Sequence, residues 1–287
     1  MVEDHFYHVC TDGTNQDWLF KDERDFIVGV NRIAVCSVTA RVKVYKYVLM
    51  DNHAHFVLRG DQFSCKEFIN KYKLLTGKWV SKKYGIKSFN ADLPAQIIRI
   101  TSMEYLMEVM AYLDRNVIKA KYPYLPSEYR WGSCGYLFKD RSFSKGQKLS
   151  EISLGKQREL FNTHTVLPQD WEVLPDGMLN PVCFCQIDKV ESLFKTPGRY
   201  IYFLAKKVES RVEEDMSQGN KTYIMDKDLR SIIETLVYDM IGSTDVKMLN
   251  MDARLKLARK LRYEYLSTPK QISRMLGISL EVVKEYV

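Results

Sequence analysis

The stretch VYKYVLMDNHAHFVLRG, Val44 to Gly60, decides how this chain is read. Its β-branched and aromatic runs predict strands over Val42 to Met50 and His55 to Arg59, meeting near a turn at Asp51 and Asn52. Side chains at i and i+2 leave a pleated backbone on the same side. His53 and His55 therefore project together, and their neutral nitrogens can hold one divalent metal. The same pair also suits a half-buried strand face with no ligand, so a third ligand has to be sought elsewhere.

Working outward, SMEYLMEVMAYLDRNVIKAKY (Ser102 to Tyr122) has helical periodicity. Tyr112 and Asn116 lie at i and i+4, one turn apart on one face, and offer a phenol and an amide oxygen together. Taken alone, Tyr112 reads as packing, because the chain has 18 tyrosines. A strand from Phe6 to Thr11 carrying His8, a helix from Asp22 to Ser37 and helices over Ser64 to Lys83 and Ser102 to Ala120 complete the order β, α, β, β, α and a further helix, and Ala95 to Thr101 can supply another strand between the last two helices. That order predicts an α+β fold, a ferredoxin-like sheet with helices on one face, followed by a mainly helical C-terminal region. His8 reads as a core or surface histidine, with a phosphate contact or support of the ligands as the alternative.

Four blocks resemble the HUH-type single-strand tyrosine transposases, and among them the REP-associated tyrosine transposases. They are FYHVCTDGTNQDWLFKDERD (Phe6 to Asp25), YVLMDNHAHFVL (Tyr47 to Leu58), AYLDRN (Ala111 to Asn116) and SEYRWGSCGYL (Ser127 to Leu137). The resemblance covers about the first 140 residues and implies the HUH nuclease fold. It places the metal-binding pair on His53 and His55, the nucleophile on Tyr112 and the completing polar ligand on Asn116. Asp51 and Val117 stand where relatives often have proline, and Ala54 where they have a bulky hydrophobe. The implied reaction is transesterification of single-stranded DNA beside a hairpin, through a 5′-phosphotyrosine with a free 3′-hydroxyl. Mixed nitrogen and oxygen ligands suit Mg²⁺ or Mn²⁺. Some relatives build each site from two chains, which makes a homodimer one of the implied arrangements. Two other readings stand beside this one: a catalytically silent or host-adapted protein that binds hairpin or repeat DNA, and replication-initiator-like nicking.

Composition agrees with a nucleic-acid partner. Lys and Arg number 43 against 36 Asp and Glu, a net charge of +7, and such a surface attracts phosphate. In KEFINKYKLLTGKWVSKKYG, Lys71, Lys73, Lys78, Lys82 and Lys83 can track a DNA backbone while Tyr72, Trp79 or Tyr84 stacks on a base. A solvated lysine face over core aromatics is the alternative. The chain has no apolar run long enough for a membrane, and Met1 to His5 does not open a signal sequence, so a cytoplasmic bacterial protein is expected. The six cysteines are expected to be reduced structural thiols.

The predicted domains are 1–140 for catalysis, 141–200 as an irregular connection, and 201–287 as a helical domain. Within the last, STPKQISRMLGISLEVVKEYV (Ser267 to Val287) has the layout of a helix-turn-helix, with Ile272, Leu276, Ile278 and Val282 as core positions.

Overall fold

The computed structural model describes residues 4–11, 19–85, 95–140, 146–206, 212, 226–263, 265, 267 and 269–286. Parts of the opening block (12–18), the basic 141–145 stretch, the polar break at 213–221 and Thr268 lie outside the described residues. The chain divides into two compact units, one spanning Asp4–Ser217 and the other built on Gln218–Val287.

The first unit is built on β1 (His5–Thr11), α1 (Glu23–Ala40), β2 (Lys43–Leu49), β3 (Ala54–Gly60), α2 (Gln62–Tyr84), β4 (Ala95–Ile100) and α3 (Met103–Lys119). The strands form one antiparallel sheet in the order β2-β3-β1-β4, the ferredoxin-like arrangement. Each helix starts at a residue suited to capping: Asp22, Asp61 and Ser102 accept from the backbone N–H three residues on. Helix α2 stops at Gly85, whose φ of 69° lies in the left-handed region that glycine enters without strain.

Alternation along β3 assigns the two faces. Phe56 packs on Phe68 and Tyr72 of α2, whereas His55 faces Tyr112 of α3. Helices α1 and α2 thus form one layer, and α3 covers the opposite face. A bulge in β2 decides what meets α3: Val44 pairs with Leu58, but Lys46 pairs with Val57. The extra residue Tyr45 turns Lys46 from the α1/α2 face to the α3 face. There Lys46, fully buried, meets Asp114 at 2.6 Å.

Residues 146–206 are more than a connection. They form short helices, α4 (Leu154–Phe161), α5 (Pro181–Phe184), α6 (Ile187–Phe194) and α7 (Pro197–Ala205), whose Phe161, Phe184, Phe194, Tyr200 and Phe203 join the core of the sheet unit. Helix α7 is clamped to α3. Tyr200 donates to Asp114, and Arg115 donates to the carbonyls of Phe203 (3.0 Å), Leu204 (3.2 Å) and Lys206 (2.5 Å), which cap the end of α7. Lys206 also meets Glu108 at 2.8 Å. All six cysteines are free thiols.

The second unit contains α8 (Asp226–Ile241), α9 (Met251–Tyr263), α10 (Pro269–Leu276) and α11 (Leu280–Tyr286) around its own apolar cluster. Helices α10 and α11 are joined at Gly277, with φ of 63°, and the turn is closed by Ile278 N–H donating to Ser273. Ile272, Leu276 and Ile278 are buried, but the buried valine of α11 is Val283, with Val282 packed at the edge of the cluster. Of the basic residues in α9, Arg259 is tied to the Tyr286 carbonyl and Arg262 to that of Ser267. Among the described residues, no helix is long and apolar enough to cross a membrane.

Candidate active site

The face of the sheet under α3 gathers the chemistry. His8 on β1 and His55 on β3 lie on neighbouring strands, and the register places His8 one diagonal step from His55. Their rings stack with centroids 5.3 Å apart, and His8 Nε2 lies 3.1 Å from His55 Nδ1. Tyr112 closes the site from above, its ring centroid 6.0 Å from that of His55 and 6.1 Å from that of His8. Its side chain is buried, with 4% of its surface exposed.

His53 sits just before β3 rather than within it, half-buried. Its ring is nearly perpendicular to that of His55, with centroids 4.9 Å apart, and Nδ1 lies 2.7 Å from Asn52 Oδ1. The backbone of this turn is also held: Met50 N–H donates to the His53 carbonyl, and Ala54 N–H donates to Thr11 Oγ1 at 3.0 Å. Asn116, one turn after Tyr112, donates its amide to the carbonyls of Tyr112 (3.0 Å) and Leu113 (3.2 Å).

The donor chemistry of these residues fits a divalent cation. The Asn52 contact occupies Nδ1 of His53, so Nε2 is the nitrogen that His53 can present. The His8 contact likewise leaves Nε2 as the nitrogen His55 can present, the arrangement in which a partner on the second ring nitrogen orients a ligand histidine. Asn116 can present Oδ1, since its nitrogen points into its own helix. Burial lowers the pKa of His8 to about 4. It also takes His55 well below the usual imidazole range, with the charges of His53, His8 and Lys119 acting in the same direction. Both rings are neutral at pH 7, the state that offers a lone pair.

Two residues at the site carry no signal in the histidine motif. Lys119 Nζ lies 5.0 Å from the centre of the Tyr112 ring; its place seven residues on, two turns along the same helix, is the signal that points to it. Cys10 lies two residues after His8 on the same side of β1 and directly opposite His55. His8, Cys10 and His55 each offer a ligand atom within 4.8 Å of the others.

The expected DNA-tracking lysines divide. Lys78 and Lys82 are exposed, and Lys71 and Lys73 are half-buried. Lys83 is committed elsewhere, to Asp22 at 2.5 Å and Asp25 at 2.8 Å. Trp79 and Tyr84 donate to the same Asp25 carboxylate, and Tyr72 is in the core. The aromatics of α2 therefore serve packing and this carboxylate. The lysine row lies on the helix layer opposite the tyrosine face.

No family model matches the chain, and no curated protein matches it. Among solved structures, that of a REP-associated tyrosine transposase bound to a REP hairpin is similar over 46% of this chain and 77% of that chain, at 12% identity and a TM-score of 0.34.

Proposed function

We propose that this protein is an HUH-type, REP-associated-like tyrosine transposase: an enzyme that cuts and rejoins single-stranded DNA near a hairpin through Tyr112. The observation that carries this reading is the meeting of Tyr112 with His55 across the face of the sheet, ring centroids 6.0 Å apart. A tyrosine delivered by a helix beside imidazoles at a strand start sets a nucleophile next to nitrogen donors that can hold a metal, the parts that metal-assisted transesterification uses.

In this reading His53, His55 and Asn116 hold Mg²⁺ or Mn²⁺. When bound, such a cation supplies Lewis-acid withdrawal of charge from the scissile phosphate. Tyr112 Oη forms the new bond to phosphorus, the bond from phosphorus to the 3′ oxygen breaks, and the phenolic proton ends on that oxygen as a 3′-hydroxyl. The product is a 5′-phosphotyrosine, whose retained ester lets the reverse step join strands. An unperturbed phenol titrates near about 10 and is a weak nucleophile at neutral pH. The Lys119 ammonium lies over the ring, 5.0 Å from its centre, where its charge can meet that of a phosphate brought to Tyr112. The buried pair of Lys46 and Asp114, together with the Arg115 clamp on α7, holds α3 against the sheet and so fixes the height of Tyr112 above the histidines. Residues 1–140 supply the catalytic groups, 146–206 brace the tyrosine helix, and the helix-turn-helix expected over 267–287 is a DNA-contacting module.

The test is incubation of wild type and Tyr112→Phe with labelled single-stranded hairpins, with Mg²⁺ or Mn²⁺ and with chelator. A metal-dependent covalent band from wild type alone is the expected result. One observation favours a second reading, a hairpin-binding protein without strand transfer: Tyr112 is only 4% exposed. Tight hairpin binding with no covalent band in any metal would select it.

A further inference from the structure

The sheet face beneath Tyr112 holds a second ligand set that shares only His55 with the histidine motif. Cys10 follows His8 by two residues, so both side chains leave β1 on one side, and the register sets Cys10 opposite His55. Two imidazoles and a thiol from neighbouring strands thereby converge. One ligand atom of each lies within 4.8 Å of the others, and all three side chains are buried.

The dimensions suit a tetrahedral ion. Zinc to nitrogen bonds of about 2.0–2.1 Å at tetrahedral angles set two ligand nitrogens roughly 3.3–3.4 Å apart. His8 Nε2 and His55 Nδ1 are already 3.1 Å apart, so a small outward movement admits the ion. A thiolate with two imidazoles is a soft donor set that selects Zn²⁺ or Co²⁺ over Mg²⁺ and Mn²⁺. Three protein ligands leave one position for water.

We infer that His8, Cys10 and His55 form a site for a thiophilic divalent cation of the Zn²⁺ class, and that its occupation silences the tyrosine site by claiming the lone pair of His55. The second half rests on the function proposed above. A neutral imidazole has one lone pair and one N–H. With the cation on Nδ1, the N–H of His55 is on Nε2, the nitrogen that a hard cation shared with His53 needs bare. The proton that bridges the two rings moves to an outer ring nitrogen. The Cys10 sulfur forms its bond to the cation as its proton leaves to solvent, so one proton is released for each ion bound.

The test uses the full chain freed of metal and titrated with Co²⁺, whose bond to a thiolate gives a charge-transfer absorption band. Wild type is expected to show the band saturating at one equivalent, with displacement by Zn²⁺, and the isosteric Cys10→Ser variant to lose it while keeping the wild-type circular dichroism spectrum. Absence of the band in wild type, or its persistence in Cys10→Ser, overturns the site. In a second arm, one equivalent of Zn²⁺ added to wild type in Mg²⁺ is expected to abolish the covalent hairpin adduct. Full adduct yield from the zinc-loaded chain overturns the silencing but not the site. Failure to form an adduct in any metal overturns the silencing along with the tyrosine reading, while the Co²⁺ titration, which needs no DNA, still decides the cation site.

Discussion

Replacing Lys46 with methionine removes one partner of a buried ion pair and leaves the other charge in the core. Lys46 and Asp114 are 0% and 1% exposed and 2.6 Å apart. Burial alone would lower the Lys46 pKa, but the Asp114 carboxylate beside it outweighs burial and raises it, whereas at Asp114 burial outweighs Lys46 and raises the carboxyl's pKa. Lys46 Nζ also lies 3.3 Å from the Tyr200 hydroxyl, which itself contacts Cys134 Sγ at 3.1 Å. Breaking such a pair from one side costs about 3–5 kcal/mol. For a unit of this size that corresponds to a fall in melting temperature of roughly 6–20 °C. Replacing both partners with apolar residues of similar volume is often nearly neutral, so Lys46→Met with Asp114→Leu is expected to recover at least half the loss. Urea unfolding of the two single variants, the double variant and wild type, followed by circular dichroism, reads the cycle. A cost for Lys46→Met below about 1 kcal/mol, or losses that simply add in the double variant, would refute the claim that this pair locks α3 onto β2.

Two further outcomes follow from the same unit. The Asp25 carboxylate accepts from Lys21 N–H, Trp79, Lys83 and Tyr84; burial raises its pKa, but these bonds outweigh burial and leave it lowered. Asp25→Ala is expected to cost about 3 kcal/mol at pH 7 by orphaning those donors. Because the folded pKa is depressed, this stability is present above the unfolded value of about 3.9 and is lost as pH falls through the folded pKa. The gap between variant and wild type should therefore close in acid, and a gap that widens below pH ~4 argues against the assignment. At Gly29, an added Cβ would lie 2.7 Å from Phe20 Cε1 and 2.9 Å from Leu49 Cδ1. Gly29→Ala should cost about 1–3 kcal/mol by overpacking, and an unchanged melting temperature would show that the Phe20 ring yields freely.

The sequence made the sheet unit legible because its signals are local. The β-branched and aromatic runs from Val44 to Gly60, the helical periodicity of Ser102 to Tyr122 and the spacing of Tyr112 and Asn116 each lie within a short stretch of chain, and every described strand and helix of 1–120 lies within a few residues of its predicted place. What escaped depends on partners far away in the chain. Cys10 gains meaning only through a register that sets it against His55. The bulge at Tyr45 that turns Lys46 inward has no residue signature of its own. Residues 146–206 look irregular because their helices are short, and their role as the brace of α3 depends on Tyr200 meeting Asp114 and on Arg115 capping α7. The lysine row on α2 was visible as charge, but the diversion of Lys83 to Asp22 and Asp25 depends on α1 packing beside it.

The most direct measurement is peptide mapping by mass spectrometry of the covalent product formed from wild-type protein, a single-stranded hairpin substrate and Mn²⁺. The expected result is a nucleotide joined through its 5′ phosphate to the peptide bearing Tyr112, lost on chelation and in Tyr112→Phe. A modification on any other of the tyrosines, or no covalent product while the hairpin is bound tightly, would contradict the role assigned to Tyr112.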